Sequence, residues 1–294
     1  MQNSVLIINS FLHDKNKQGL LNIFNTSPQI KYKIGTLADI PHYDIIYSPS
    51  EVINSSLYPT KKFIFGPHFS VFPNPPQLHA LQANKYKNSI YIQPSEWAAQ
   101  TWKDMGAEQF IPIRTFAFPV NTNIFSPNEH MEYEKTDVFL YIKQRNPNEI
   151  SQLKAFLALH NITTYKIFDY SKRYNERDYI NTLQKAKYGI WLGRHESQGF
   201  ALEEALSMNV PLLVWDVTSM NQEEGYNYKD VPATTIPYWD SRCGEYFHHL
   251  SELPEAFQTL QTKLKTPSIY NPRQYVLEQL STEKCRESFM KMII

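Results

Sequence analysis

Short apolar runs recur along the first part of the chain, each ending at Ser, Pro, Asn, Gln or a similar polar break. They are Val5–Asn9, Asp44–Ser48, Lys62–Phe65, Ser89–Gln93 and Phe110–Ile113. Runs of this length, rich in β-branched and aromatic residues, predict buried strands. Between them, a loop over Ser10–Gly19 leads to a helix predicted to start near Leu20, and Ser95 is placed to cap a helix through Trp97 and Trp102. A second series begins at Asp137–Ile142. Ile150, Leu153, Phe156 and Leu157 then mark a helix over Asn148–His160, followed by a strand at Thr164–Phe168 and a helix over Glu176–Lys187. Two further strands, Tyr188–Leu192 and Pro211–Trp215, bracket a short helix, and from about Arg273 a last helical pattern carries Tyr275, Leu277 and Leu280. Strands alternating with helices predict an α/β fold with parallel, doubly wound sheets. Phe116–Pro127 holds two prolines and no period, and reads as a linker. The expected organisation is a first domain over 1–118, a second over 119–272, and a terminal helix over 273–294.

At 294 residues the chain is long enough for two domains with separate cores. Its 29 basic and 29 acidic side chains cancel, so no global field attracts nucleic acid or an anionic membrane. No apolar run approaches the ~20 residues needed to cross a bilayer. The opening MQNSVLIINSF lacks a charged leader and a small-residue cleavage pattern, and reads as a first strand. Cys243 and Cys285 do not make a disulfide framework, so a reducing, cytoplasmic compartment is expected. The 19 Tyr, 17 Phe and 5 Trp suit cores and sugar-facing surfaces equally.

The densest chemistry lies in GIWLGRHESQGFALEEALSMNVP, residues 189–211. A strand runs into a loop carrying Glu196, and Gly199-Phe200 opens a helix that carries Glu204. A helix amino end offers unpaired N–H groups to an anion. A carboxylate just before it can meet sugar hydroxyls, and one further along can meet a ribose. Taken alone, two glutamates near a helix start also fit an ordinary amphipathic helix with acids at its positive end.

The register of this stretch resembles the Glu-x7-Glu signature of retaining glycosyltransferases of family 4, through Glu196, Ser197, Gly199, Glu204, Ala205 and Pro211. Asn209 stands where that pattern has glycine, and Asn tolerates positive φ better than most residues. A linker run of the same family is matched by Val120, Asn121, Thr122, Phe125 and Pro127. The resemblance implies a GT-B fold: two Rossmann-like domains facing across a cleft, with a C-terminal helix crossing back to the first domain. It implies Lys143 and Arg145, at the end of the Asp137–Ile142 strand, as a basic pair on the donor diphosphate. It implies Glu196 on the transferred sugar, Glu204 on the ribose, and Ser197, Gly199 and Phe200 close to the donor. His68, after FIFGP, would face the transferred sugar. Asp14 and Gly19 would belong to an acceptor-side loop. Glu203, about 100° around the helix from Glu204, is expected in solvent.

The activity implied is transfer of a sugar from a nucleoside diphosphate sugar to a glycan or other hydroxyl acceptor, with retention. No Asp-x-Asp pair is present to hold a divalent ion on the diphosphate, so no metal and no cofactor are expected. The alternatives are a catalytically silent nucleotide-sugar-binding protein and a nucleotide-sugar epimerase of the same fold. Cys243-x4-His248-His249 is an incomplete zinc set. Tyr170–Tyr174 could border the base, and Pro237–Asp240 could rim the nucleotide pocket or simply pack. Phosphate-loop, dinucleotide-fingerprint and nucleophile-elbow motifs do not occur.

Overall fold

A computed structural model describes residues 3–67, 71–82, 84, 88–128, 135–266 and 268–293. The chain divides into two compact units: residues 1–119 with 280–294, and residues 120–279.

The first unit is built on β1 (Asn3–Ile8), α1 (Asp14–Asn25), β2 (Ile30–Gly35), β3 (Ile45–Ser48), β4 (Lys62–Phe65), α2 (Pro75–Gln82), β5 (Ser89–Gln93), α3 (Glu96–Asp104) and β6 (Ile113–Thr115). All its strand pairs are parallel, in the order β2-β1-β3-β4-β5-β6. Both faces are covered, which is why the central strands read as continuous apolar runs rather than alternating ones. On one face Leu6, Ile46, Phe63, Phe65 and Tyr91 pack with Leu81, Ala99 and Trp102 from the helices.

Four expectations change here. The first helix starts at Asp14, not near Leu20; His13 Nδ1 accepts from Lys15 N–H at 3.3 Å, and the polar first turn hides the apolar period. Gly19 therefore lies inside α1 and not in a loop. A Cβ there would come within 2.9 Å of Pro119 Cδ, so the glycine lets the proline cross close to the helix. The strand expected at Phe110–Ile113 begins only at Ile113, after a 3-10 turn at Ala107–Gln109. The edge strand β2 alternates as IKYKIG and was not expected, although its period-2 pattern is that of a half-solvated strand.

The second unit contains β7 (Asp137–Ile142), α4 (Pro147–Leu159), β8 (Lys166–Asp169), α5 (Glu176–Lys185), β9 (Ala186–Leu192), α6 (Phe200–Ser207), β10 (Leu212–Trp215), β11 (Gly244–Phe247), α7 (Leu253–Lys263) and α8 (Pro272–Gln279). Its parallel sheet runs β11-β10-β9-β7-β8. One face packs Leu140, Ile190, Leu192 and Leu213 against Leu153, Leu157, Phe257 and Leu260 of α4 and α7. The other is aromatic: Tyr141 stacks on Trp191 at 3.8 Å, and Phe139 and Phe168 meet Tyr179 of α5. The Phe116–Pro127 segment is more than a connector. Phe125 is buried, and its carbonyl accepts from Ser207 Oγ at 2.6 Å and from Arg273 Nη1 at 3.0 Å.

The C-terminal pattern is two helices rather than one. The chain breaks at Leu280-Ser281, where Ser281 Oγ accepts from Lys284 N–H at 3.3 Å and starts α9 (Thr282–Ile293). α8 packs on α6, whereas α9 returns to the first unit and packs on α1, with Phe289 against Phe24 and Phe116. No helix among the described residues is long and apolar enough to cross a membrane.

Candidate functional site

In both sheets the second strand lies on one side of the first and the third strand on the other. Such a switch point leaves a crevice at the carboxyl ends of the first and third strands, where open α/β sheets bind ligands. In the second unit these are β7 and β9. Lys143 is the first residue after β7, and its N–H bonds Leu192 O at 2.9 Å; Gly193–Glu196 is the first loop after β9.

The switch point brings Lys143 and Glu196 together. Lys143 Nζ lies 2.8 and 3.0 Å from the two Glu196 carboxylate oxygens, and both side chains are only 10% exposed. The ammonium also sits 4.4 Å from the centre of the Tyr170 ring. Glu196 is held from behind, because its N–H bonds Thr234 O at 2.9 Å while Asp216 accepts from Thr234 Oγ at 2.9 Å and Thr235 N–H at 2.6 Å. Asp216 directly follows β10, and burial raises its pKa despite those bonds.

Two residues beyond Ser197 the backbone turns into α6. Gly199 has φ +94°, a left-handed conformation that side chains disfavour, and Glu203 N–H bonds Gly199 O at 3.0 Å to start the helix. Having no side chain, this N-cap cannot bond the N–H groups of the first turn at Phe200–Leu202. Ser197, Gly199 and Phe200 are half-buried, so the helix entrance reaches solvent. Glu204 is buried one turn further in, and Tyr179 Oη bonds Ala201 O at 2.7 Å, tying α5 to α6. Asn209, at φ +56°, closes the carboxyl end of α6 in the left-handed conformation.

Three sequence expectations require correction. Arg145, expected beside Lys143 on a diphosphate, is turned inward: its side chain is fully buried, Nη1 donates to Gly193 O at 3.1 Å and Trp215 O at 2.9 Å, and Nε meets Glu149 at 2.7 Å. Its guanidinium ties the ends of β9 and β10 to the start of α4. Glu203 is not in solvent but completely buried, because α8 closes the outer face of α6; Gln198 Nε2 donates to it at 3.1 Å, and burial raises its pKa well above the ordinary range. Asp14 opens α1 at an exposed position and Gly19 packs on Pro119, so neither lies on a loop. His68 falls outside the described residues.

The structure adds three groups. Arg194 Nη1 meets Glu223 at 3.0 Å, and His195 lies with Nδ1 3.4 Å from the same carboxylate and its ring edge-on to Tyr228. Burial, with Arg194 and Lys143 nearby, pulls the His195 pKa down to about 3, so the imidazole is neutral. Burial raises Glu223 in spite of Arg194. Arg194 and His195 adjoin Glu196 in sequence and could have been suspected from that alone. Glu223 carried no such signal, since it reaches the site on a loop 29 residues beyond Arg194. Cys243 is buried in the core, its thiol pushed up to about 12, and His248 instead approaches Asp216 at 3.8 Å.

No family model matches the chain, and no curated protein matches it. Solved structures do. A glycosyltransferase from Rickettsia africae aligns at TM-score 0.63 and 11% identity, over 99% of this chain and 97% of that one. Sucrose-phosphate synthase from Thermosynechococcus elongatus aligns at TM-score 0.60 and 8% identity, over 99% and 98%. TarM from S. aureus, solved with UDP, aligns at TM-score 0.54 and 13% identity over 84% of this chain and 55% of that one. The chain therefore has the fold of GT-B glycosyltransferases, with two Rossmann-like domains and a C-terminal helix returned to the first.

Proposed function

We propose that the chain is a glycosyltransferase that moves a sugar from a nucleoside diphosphate sugar to a hydroxyl of a glycan or similar acceptor, with retention and without a metal ion. The observation that carries this reading is the Lys143–Glu196 pair at the β7/β9 switch point, next to the amino end of α6, where the cap residue Gly199 has no side chain. The fold shared with TarM, which was solved with UDP, supports a nucleotide as ligand.

In this reading the diphosphate lies against the Phe200–Leu202 N–H groups and Lys143 Nζ, while Glu196 accepts from hydroxyls of the transferred sugar. Glu204 holds the ribose. The bond from the anomeric carbon to the diphosphate oxygen breaks, and its electron pair leaves with the nucleoside diphosphate. The acceptor oxygen forms the new bond on the same face, and its proton passes to the departing phosphate oxygen. Positive charge and N–H dipoles fixed at the leaving group stabilise the charge that develops there. No protein nucleophile is needed. Neutral His195 behind Glu196 adds no positive charge to compete with Lys143 for that carboxylate.

The test is incubation with a panel of UDP-, GDP- and ADP-sugars, with release of nucleoside diphosphate measured with and without hydroxyl acceptors. Acceptor-stimulated release, with the anomeric configuration kept by NMR and turnover unchanged by EDTA, is expected. No release and no nucleotide binding across the panel would sink the reading. Binding without release would leave a silent nucleotide-sugar-binding protein.

A further inference from the structure

Two arginines, Arg145 and Arg194, follow the carboxyl ends of β7 and β9 beside Lys143. The Arg145 guanidinium is enclosed, 5.1 Å from the Trp215 ring, with Nη1 on two carbonyls and Nε on Glu149, while its buried Nη2 has no hydrogen-bond partner among the described residues. Moving it to a ligand would strand buried carbonyl oxygens, an unfavourable exchange. Arg194 is in a different situation. It leaves the sheet two residues after β9, beside the strand that delivers Lys143, and its side chain is 26% exposed. Glu223 is its ion-pair contact at 3.0 Å, the Glu196 carboxylate also acts on its charge, and its buried Nε has no hydrogen-bond partner among the described residues.

Lys143, Glu196, Arg194 and Glu223 thus form a cluster of two cations and two carboxylates around a neutral histidine. The carboxylate of Glu223 arrives on the segment joining β10 to β11. That segment is fixed over the β7 exit by Glu224 N–H bonding Gln144 O at 2.9 Å. The arrangement is electrically balanced without a ligand and has a planar, partly exposed donor group at its edge.

Building on the nucleotide-sugar reading above, we propose that Arg194 rather than Arg145 joins Lys143 on the donor diphosphate, and that Glu223 is the counter-ion it exchanges for that anion. Glu223 then competes with the nucleotide for Arg194. Its removal strengthens nucleotide binding, and removal of Arg194 weakens it. A pair that only held the loop in place would give the same sign for both. The planar fork of Arg194 suits two phosphate oxygens at once.

The experiment is calorimetric titration of the full chain with UDP, GDP and ADP, using wild type, Arg194→Gln, Arg194→Lys and Glu223→Gln, each checked by circular dichroism. For the diphosphate that binds wild type, Arg194→Gln should weaken affinity about 10- to 100-fold, the range of a lost charge-assisted hydrogen bond. Arg194→Lys should recover part of the loss, and Glu223→Gln should bind several-fold tighter, on the order of the competition relieved. Binding of the parent nucleoside, followed by saturation-transfer NMR, should not change. A folded Arg194→Gln that binds like wild type overturns the inference while the nucleotide reading stands. Weaker binding by Glu223→Gln overturns it also, even if Arg194→Gln fails to fold. Absence of any wild-type binding removes the nucleotide reading itself, and this inference with it.

Discussion

Lys143 Nζ and the Glu196 carboxylate, 53 residues apart in sequence, meet at 2.8 and 3.0 Å with both side chains nearly withdrawn from water. Removing one partner of such a pair leaves the other charge buried and uncompensated, which costs about 3–5 kcal/mol in fully enclosed cases. Lys143→Met is therefore expected to lower urea-unfolding stability by roughly 2–4 kcal/mol. The double variant Lys143→Met/Glu196→Gln should lose less than Lys143→Met alone. Equal losses would mean that the pair is screened and weak.

Arg145 is expected to matter for stability rather than for ligand. Arg145→Lys cannot reach Gly193 O, Trp215 O and Glu149 with one planar fork. The variant should unfold about 2–3 kcal/mol more easily, the cost of leaving a buried acceptor unpaired. While folded it should bind nucleoside diphosphates as wild type does. Calorimetry on Arg145→Lys beside Arg194→Gln separates the brace from the proposed ligand.

His195 sets an acid limit. Its pKa is about 3 in the folded chain, below the 6.5 of an exposed imidazole. Between these values the unfolded chain takes up a proton that the folded chain refuses. Stability is complete above about pH 6.5 and falls as pH drops, by up to about 1.4 kcal/mol per pH unit. His195→Gln, neutral throughout, should flatten this part of the curve. Urea midpoints at pH 7.0, 6.0 and 5.0 test it, and an unchanged slope would place the proton elsewhere.

Glu203 works in the opposite direction. Burial raises its folded pKa well above 4.5, so above that pH the unfolded chain releases a proton that the folded chain keeps. Stability therefore declines as pH rises from about 4.5 towards the folded value, by up to about 1.4 kcal/mol per pH unit. Glu203→Gln keeps the shape and stays neutral. Its advantage over wild type should be absent at pH 4 and grow towards pH 7. Thermal melts across that range decide, and a constant offset would mean that Glu203 does not titrate with folding.

Much of the fold could be read along the chain because its strands are buried on both faces. Lys62–Phe65, Ser89–Gln93 and Asp137–Ile142 occupy the predicted residues, since a continuous apolar run of that length has few other uses in an α/β protein. The elements that escaped are those whose pattern is diluted by water or interrupted by a cap. β2 alternates lysine with apolar residues at a sheet edge, the first turn of α1 is polar, and Ser281 divides the last helical stretch.

The sequence alone determined two series of strands and helices and a glycine-led helix with Glu196 before it and Glu204 within it, because periodicity and turn chemistry are local. Tertiary structure decided which charges face outward and which are spent inside. Arg145 binds carbonyls at the ends of β9 and β10, Glu203 is shut in by α8, and Arg194 finds Glu223 from beyond α6 and β10. Burial and electrostatic pairing depend on neighbours brought from remote positions, and no local pattern records which neighbours those will be.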